Sequence, residues 1–229
     1  MDGFWKLRVA ALLLAAALPA AAWSPLGFSL GFDGMGGSRP DVIGFPERDG
    51  AVYGFRLILF GGATDTMYGI AVAGLANGGD GSGIGKDYAE GDIAGFEIAG
   101  LVNVATSSRF GAWQVSGLQN KLLKGGDIVQ MAAFYNEIGG EASGIQIAGI
   151  ENKAEGDFTG LQIAGVFNRA QGTLSGVQIA AVNVANKLRG VQIGAINCID
   201  VDCVGVQIGA VNICNGSQAE FLPVLRISF

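Results

Sequence analysis

Five consecutive segments repeat one short phrase: GIQIAGIEN, GLQIAGVFN, GVQIAAVN, GVQIGAIN and GVQIGAVN, opening at Gly144, Gly160, Gly176, Gly190 and Gly205. The offsets between them are 16, 16, 14 and 15 residues. A period this short describes one supersecondary unit, too small to bury its own apolar side and obliged to line up beside its neighbours. Weaker copies run upstream: GIAVAGLAN from Gly69, GFEIAGLVN from Gly95, GAWQVSGLQN from Gly111 and DIVQMAAFYN from Asp127, with GFRLILFGG from Gly54 the loosest. The ten units share one column: Arg56, Ala71, Glu97, Gln114, Gln130, Gln146, Gln162, Gln178, Gln192 and Gln207, with Gln114 one residue late.

Each unit alternates with period two, the signature of a strand. Val191, Ile193 and Ala195 share one face, and Gln192, Gly194 and Ile196 share the other. β-Branched residues dominate and no proline interrupts a clear unit. A helix is disfavoured, because a glycine in every unit would cost about 1 kcal/mol each relative to alanine. Between residues 160 and 213 the connectors hold the charges, Arg169, Lys187, Arg189, Asp200 and Asp202, and connectors also hold turn formers such as Asn152, Gly156 and Asn168. The one long connector is the polar, glycine-rich insertion over 78–94.

The flanks read differently. Lys6 and Arg8, the apolar run Val9 to Leu18 and the small residues Ala20, Ala21 and Ala22 have the form of a secretory signal over 1–22. The apolar run is too short to span a bilayer as a helix. Residues 23–229 are then a single β domain, with clear repeats over 95–213, an opening strand near GFSLGFD from Gly27, and a closing strand at 221–229. The full chain has 14 basic and 20 acidic residues, and removing the leader leaves 12 and 19, a net charge of −7. That balance argues against a nucleic-acid partner.

No histidine occurs, so histidine-based triads, bases and metal sites are excluded. The acids sit in turns, where solvated charge is the ordinary explanation, so no enzyme activity, cofactor or metal is expected. GSGIGKD from Gly81 lacks the phosphate-loop spacing and has Asp87 where a hydroxyl would be needed. Cys198, Cys203 and Cys214 are compatible with an oxidising compartment, in which one pair can bridge; Cys198 and Cys203 are the candidates. The polar column is the candidate lumen or spine. Arg56 and Glu97 are its charged members, placed to meet across Ala71. Trp113, Tyr135, Tyr53, Tyr68, Phe110 and Phe158 are candidate interfacial anchors or packed core.

Units of the form G-h-Q-h-G/A-h-h-N, with h apolar, resemble those of bacterial surface-repeat proteins over roughly residues 51–215, which implies a cell-envelope location and transfers no catalytic residue. FLPVLRISF, ending in Phe229, resembles the closing strand of outer-membrane barrels. Ten units and two flanking strands make an even set. The principal expectation is therefore an antiparallel outer-membrane β-barrel of about 12 strands with a structural or passive-pore role, apolar outside and polar within, touching the lipid bilayer and the outer-membrane assembly machinery. The alternative is a parallel β-solenoid of about 10 coils, an exported or periplasmic surface protein serving as an interaction or scaffold module. Uniformly short connectors favour the solenoid. High hydrophobicity and the terminal phenylalanine favour the barrel.

Overall fold

The computed structural model describes residues 23–29, 44–45, 51–59, 61–62, 66–78, 90–215 and 221–229. The leader expected over 1–22 and residues 79–89 of the polar insertion lie outside them. Every regular element among the described residues is a strand. Successive units pair side by side in the same direction, so the chain winds as a parallel β-solenoid.

One coil shows the plan. A long wall, Ala142–Ala148, turns at Gly149 and Ile150 into a short wall, Glu151–Ala154. A second corner at 155–157 leads into the next long wall, Phe158–Ala164. In the later coils the corners bend without breaking the strand, giving the continuous elements Phe167–Ile179, Val182–Ile193 and Ile196–Cys214. The short wall carries the chain back to its starting side, so each unit meets the last one in parallel and in register.

The barrel is thereby corrected to its alternative. Period-two alternation identifies a strand but says nothing of its partner's direction. The closing segment is a strand, Phe221–Ser228, yet it pairs antiparallel with Ile196–Cys214 and caps the last coil instead of closing a ring. The opening strand is Trp23–Ser29, beginning before the expected Gly27, and it pairs in parallel with Ala51–Ile58. Among the described residues the polar column is buried inside the stack and lines no lumen.

The register unites the ten-residue column inferred from the repeats: Arg56, Ala71, Glu97, Gln114, Gln130, Gln146, Gln162, Gln178, Gln192 and Gln207 are successive partners. The late Gln114 is accommodated because Gly95 pairs with Ala112, leaving Gly111 as an extra residue at φ +78°. That bulge absorbs the offset.

The interior is narrow and unusually polar. Phe158, Leu174, Leu188 and Cys203 form one apolar column, and Leu122, Ile138, Ala154, Ala170, Ala185, Ile199 and Cys214 another. Between them lie the fully buried glutamines and asparagines. The larger Ile and Val side chains of the repeat point outwards: Ile98 is 43% exposed, Ile193 38% and Ile208 43%. Phe158 is core, whereas Tyr53, Trp113 and Tyr135 are exposed. The side chain of Phe110 lies outside the described set.

Candidate functional site

Two ladders of side-chain amides run the length of the stack. In the first, Gln207 Nε2 donates to Gln192 Oε1 at 2.9 Å, Gln192 to Gln178 at 2.8 Å, Gln178 to Gln162 at 2.7 Å and Gln162 to Gln146 at 2.6 Å. Gln146 donates to Gln130 and Gln130 to Gln114, both at 2.9 Å. Every donor points towards the N-terminal end. A primary amide has both donor and acceptor, so parallel in-register stacking lets each glutamine satisfy its like. This is why a buried polar column is tolerated where isolated amides would be costly.

At its N-terminal end the ladder closes on a charged group suited to its polarity. Gln114 Nε2 donates to Glu97 Oε2 at 2.8 Å, an acceptor-only carboxylate that is 2% exposed. Arg56, also 2% exposed, lies two rungs further on, beyond Ala71. At the other end Gln207 Oε1 has no hydrogen bond, and its register partner in the capping strand is Arg226, 3% exposed and donor-only. Arg56 and Glu97 are thus interior residues of a filled stack, and the glutamine column is a solid spine instead of a lumen lining.

The second ladder is built by asparagine. Asn77 Nδ2 donates to Asn103 Oδ1 at 2.8 Å, and the chain continues through Asn120, Asn136, Asn152, Asn168, Asn183 and Asn197 to Asn212. Its donors point towards the C-terminal end, opposite to those of the glutamines. Each asparagine also ties a corner: Asn152 Nδ2 reaches Ile163 O of the next coil at 2.7 Å. Sequence reasoning assigned these residues to turns and missed the ladder. Its signal was the fixed offset of six residues from Gln146 to Asn152 and Gln162 to Asn168, falling to five from Gln178 to Asn183.

Cys198 and Cys203 are free thiols, and Cys214 is buried. The expected Cys198–Cys203 bridge is absent because strand alternation separates the pair: Cys198 lies on the outer side between buried Asn197 and Ile199, while Cys203 is an interior residue. Cys214 stacks in the Ile199 column, also inside. Burial, and then the Asp200 charge, raise the Cys198 thiol above its ordinary pKa. In native protein an aromatic-disulfide reagent is therefore expected to titrate one thiol, slowly at neutral pH and faster as pH rises, with three released on denaturation. Rapid reaction of two or more native thiols would overturn this placement.

The outer side of the short wall carries solvated charge. Lys121, Glu137, Lys153 and Arg169 are successive partners, and Glu137 pairs with Lys121 at 3.4 Å and with Lys153 at 3.2 Å. Lys153 also bonds Glu155 at 2.6 Å. Its ammonium pKa is raised, first by that Glu155 bond, with partial burial opposing and Glu137 adding to the rise. A raised lysine pKa contributes stability that is present below the ordinary value of 10.5 and lost as pH climbs through the folded one. For exposed pairs the effect is small, so Lys153→Met is expected to cost under about 1 kcal/mol in urea melts at pH 7, and less in high salt.

The long wall faces outwards with two uninterrupted apolar columns. The first is Phe55, Ile70, Phe96, Trp113, Val129, Ile145, Leu161, Val177, Val191 and Val206, in register. The second, two residues further along each strand, runs from Leu57 and Val72 to Ile193 and Ile208. Neither contains a polar residue. Phe96 and Trp113 touch on adjacent rungs with ring centroids 5.5 Å apart, and Tyr53 stacks on Tyr68 at the rim at 5.0 Å. Among the described residues no group of three or more Cys, Asp or Glu converges as a metal-binding set. The chain matches no family model, no curated protein and no solved structure.

Proposed function

We propose that this chain is an exported surface protein of a Gram-negative-type cell that acts as a scaffold or interaction module, without catalysis. The observation that carries this reading is the division of labour between the two sides of the long wall. The inner side is filled by laddered amides and by apolar residues such as Phe158, Leu174 and Leu188. The outer side is a continuous apolar surface with regular spacing, larger in extent than the scattered apolar exposure of ordinary soluble proteins. A solenoid of this kind provides a rigid extended surface, and repeat proteins use such surfaces for recognition. The secretory form of the first 22 residues supports export.

The test uses antibody against the purified chain on intact cells of the native host, alongside fractionation. Labelling of intact cells, or recovery of processed protein outside the cytosol, is expected. Full-length unprocessed protein confined to the cytosol would sink the proposal.

A further inference from the structure

We infer that the apolar outer wall is a self-association surface, on which a second copy of this chain docks face to face with its stack running in the opposite direction. This rests on the reading of that wall as the working surface and adds the identity and orientation of its occupant. The argument begins with volume. The first apolar column is bulky in its N-terminal half and slim in its C-terminal half: Phe55, Ile70, Phe96 and Trp113 against Leu161, Val177, Val191 and Val206.

A two-fold axis along the strand direction, passing between the Val129 and Ile145 rungs, reverses the column on itself. It sets Phe55 opposite Val206, Ile70 opposite Val191, Phe96 opposite Val177, Trp113 opposite Leu161 and Val129 opposite Ile145. Large faces small along nearly the whole length, which keeps two packed sheets at the even separation of about 10 Å that their backbones require. The second column is nearly uniform, from Leu57 to Ile208, and fits itself in either direction.

The rim supports the same orientation. Tyr53, Tyr68, Ala94, Asp127, Ser143, Thr159, Ser175, Arg189 and Val204 flank the first column. The same axis brings Tyr68 opposite Arg189 and Asp127 opposite Ser143, so no like charges meet. Copies with their stacks in the same direction are related instead by a two-fold along the stack, which reverses the strands and sets the first column against the second: Phe55 meets Leu57, Phe96 meets Ile98 and Trp113 meets Val115 at one end, while Val191 meets Ile193 and Val206 meets Ile208 at the other, so the separation is wedged. Sterics therefore select the antiparallel arrangement, and an isologous contact of this kind closes as a dimer.

The area is adequate. Ten rungs at about 4.8 Å and two columns spanning about 14 Å give roughly 600–700 Å² per partner, or about 1,300 Å² in total, within the range of specific interfaces. Charged residues are missing from the centre and present at the rim, as in stable interfaces.

The experiment is light scattering on the purified mature chain across a concentration series, with a volume-swap cycle. The wild type is expected to have twice the chain mass at micromolar concentration. Phe96→Val and Val177→Phe are each expected to weaken association about tenfold, and the double variant to recover most of the loss, because it only exchanges the two sides. Trp113→Glu and Ile193→Lys are expected to give folded monomers by circular dichroism, while Arg169→Glu on the other wall leaves the dimer intact.

A wild type that stays monomeric at high concentration would overturn the inference, as would singles that the double fails to rescue. Flotation of monomeric chain with phosphatidylcholine vesicles would assign the wall to lipid instead. None of these outcomes depends on where the cell places the protein, so failure here is distinguishable from failure of the surface reading.

Discussion

Gln162→Glu is expected to unfold the stack at neutral pH and to recover it partly in acid. Gln162 donates to Gln146 Oε1 at 2.6 Å and accepts from Gln178 Nε2 at 2.7 Å, with no exposure. A carboxylate keeps the second bond and loses the first, placing two oxygens face to face in a dry interior. An orphaned buried acceptor costs about 1–3 kcal/mol, and burial of the charge brings the loss to about 4 kcal/mol or more. That is a large part of the ~5–15 kcal/mol typical of a whole domain. Burial raises the carboxyl pKa, and once protonated the group can donate to Gln146 again. The variant's stability is therefore present below the ordinary glutamate range, near ~4.3, and lost as pH rises through the raised folded value. Urea midpoints at pH 4 and pH 7 read this directly, with wild type corrected for its own acid response. Gln162→Met, which orphans both neighbours without adding charge, is expected to cost about 2–4 kcal/mol with no acid relief. Wild-type stability of Gln162→Glu at pH 7 would remove the ladder from the account of folding.

Gly176→Ala is the second large effect, and it acts through backbone contact. Gly176 sits at φ +147°, and a Cβ there would lie 2.0 Å from Gly160 O and 2.9 Å from its carbonyl carbon. No rotamer can relieve a clash with backbone, and shifting the rung would break pairing with both neighbouring coils. The cost is expected to exceed about 4 kcal/mol, with loss of cooperative unfolding. Gly111 is the control. It also has a positive φ, +78°, but its Cβ would meet no heavy atom within 4 Å. Gly111→Ala thus carries conformational strain alone, about 1–2 kcal/mol, and a melting temperature lower by a few degrees. Equal effects at the two sites would refute the close approach at Gly176.

The repeat made the rungs legible before their arrangement. The spacing of the glutamines puts the unlike residues Arg56, Ala71 and Glu97 in one column, and the register places them there too. The direction of pairing was hidden, because a strand looks the same whether its neighbour runs with it or against it. The outward apolar columns then invited a lipid-facing reading, since Val and Ile outside and Gln inside is also the pattern of a membrane barrel. What separates the two folds is the segment from Glu151 to Ala154, which looked like a connector and is a wall. The role of Arg226 was hidden for a different reason: it lies in the antiparallel cap, outside the repeat, and only the fold places it over Gln207.

The opposed directions of the two amide ladders have a consequence for how long such a stack can become. A single aligned ladder would accumulate a dipole with every coil, building partial charge at its ends just as a helix does. Here each added coil contributes one glutamine amide pointing one way and one asparagine amide pointing the other. The two largely cancel, so lengthening or shortening the stack by whole coils leaves the field at its ends nearly unchanged. Duplication of a unit is then an electrostatically neutral event. A longer stack still needs Glu97 to accept from the first glutamine of the ladder and the capping strand to cover the final rung.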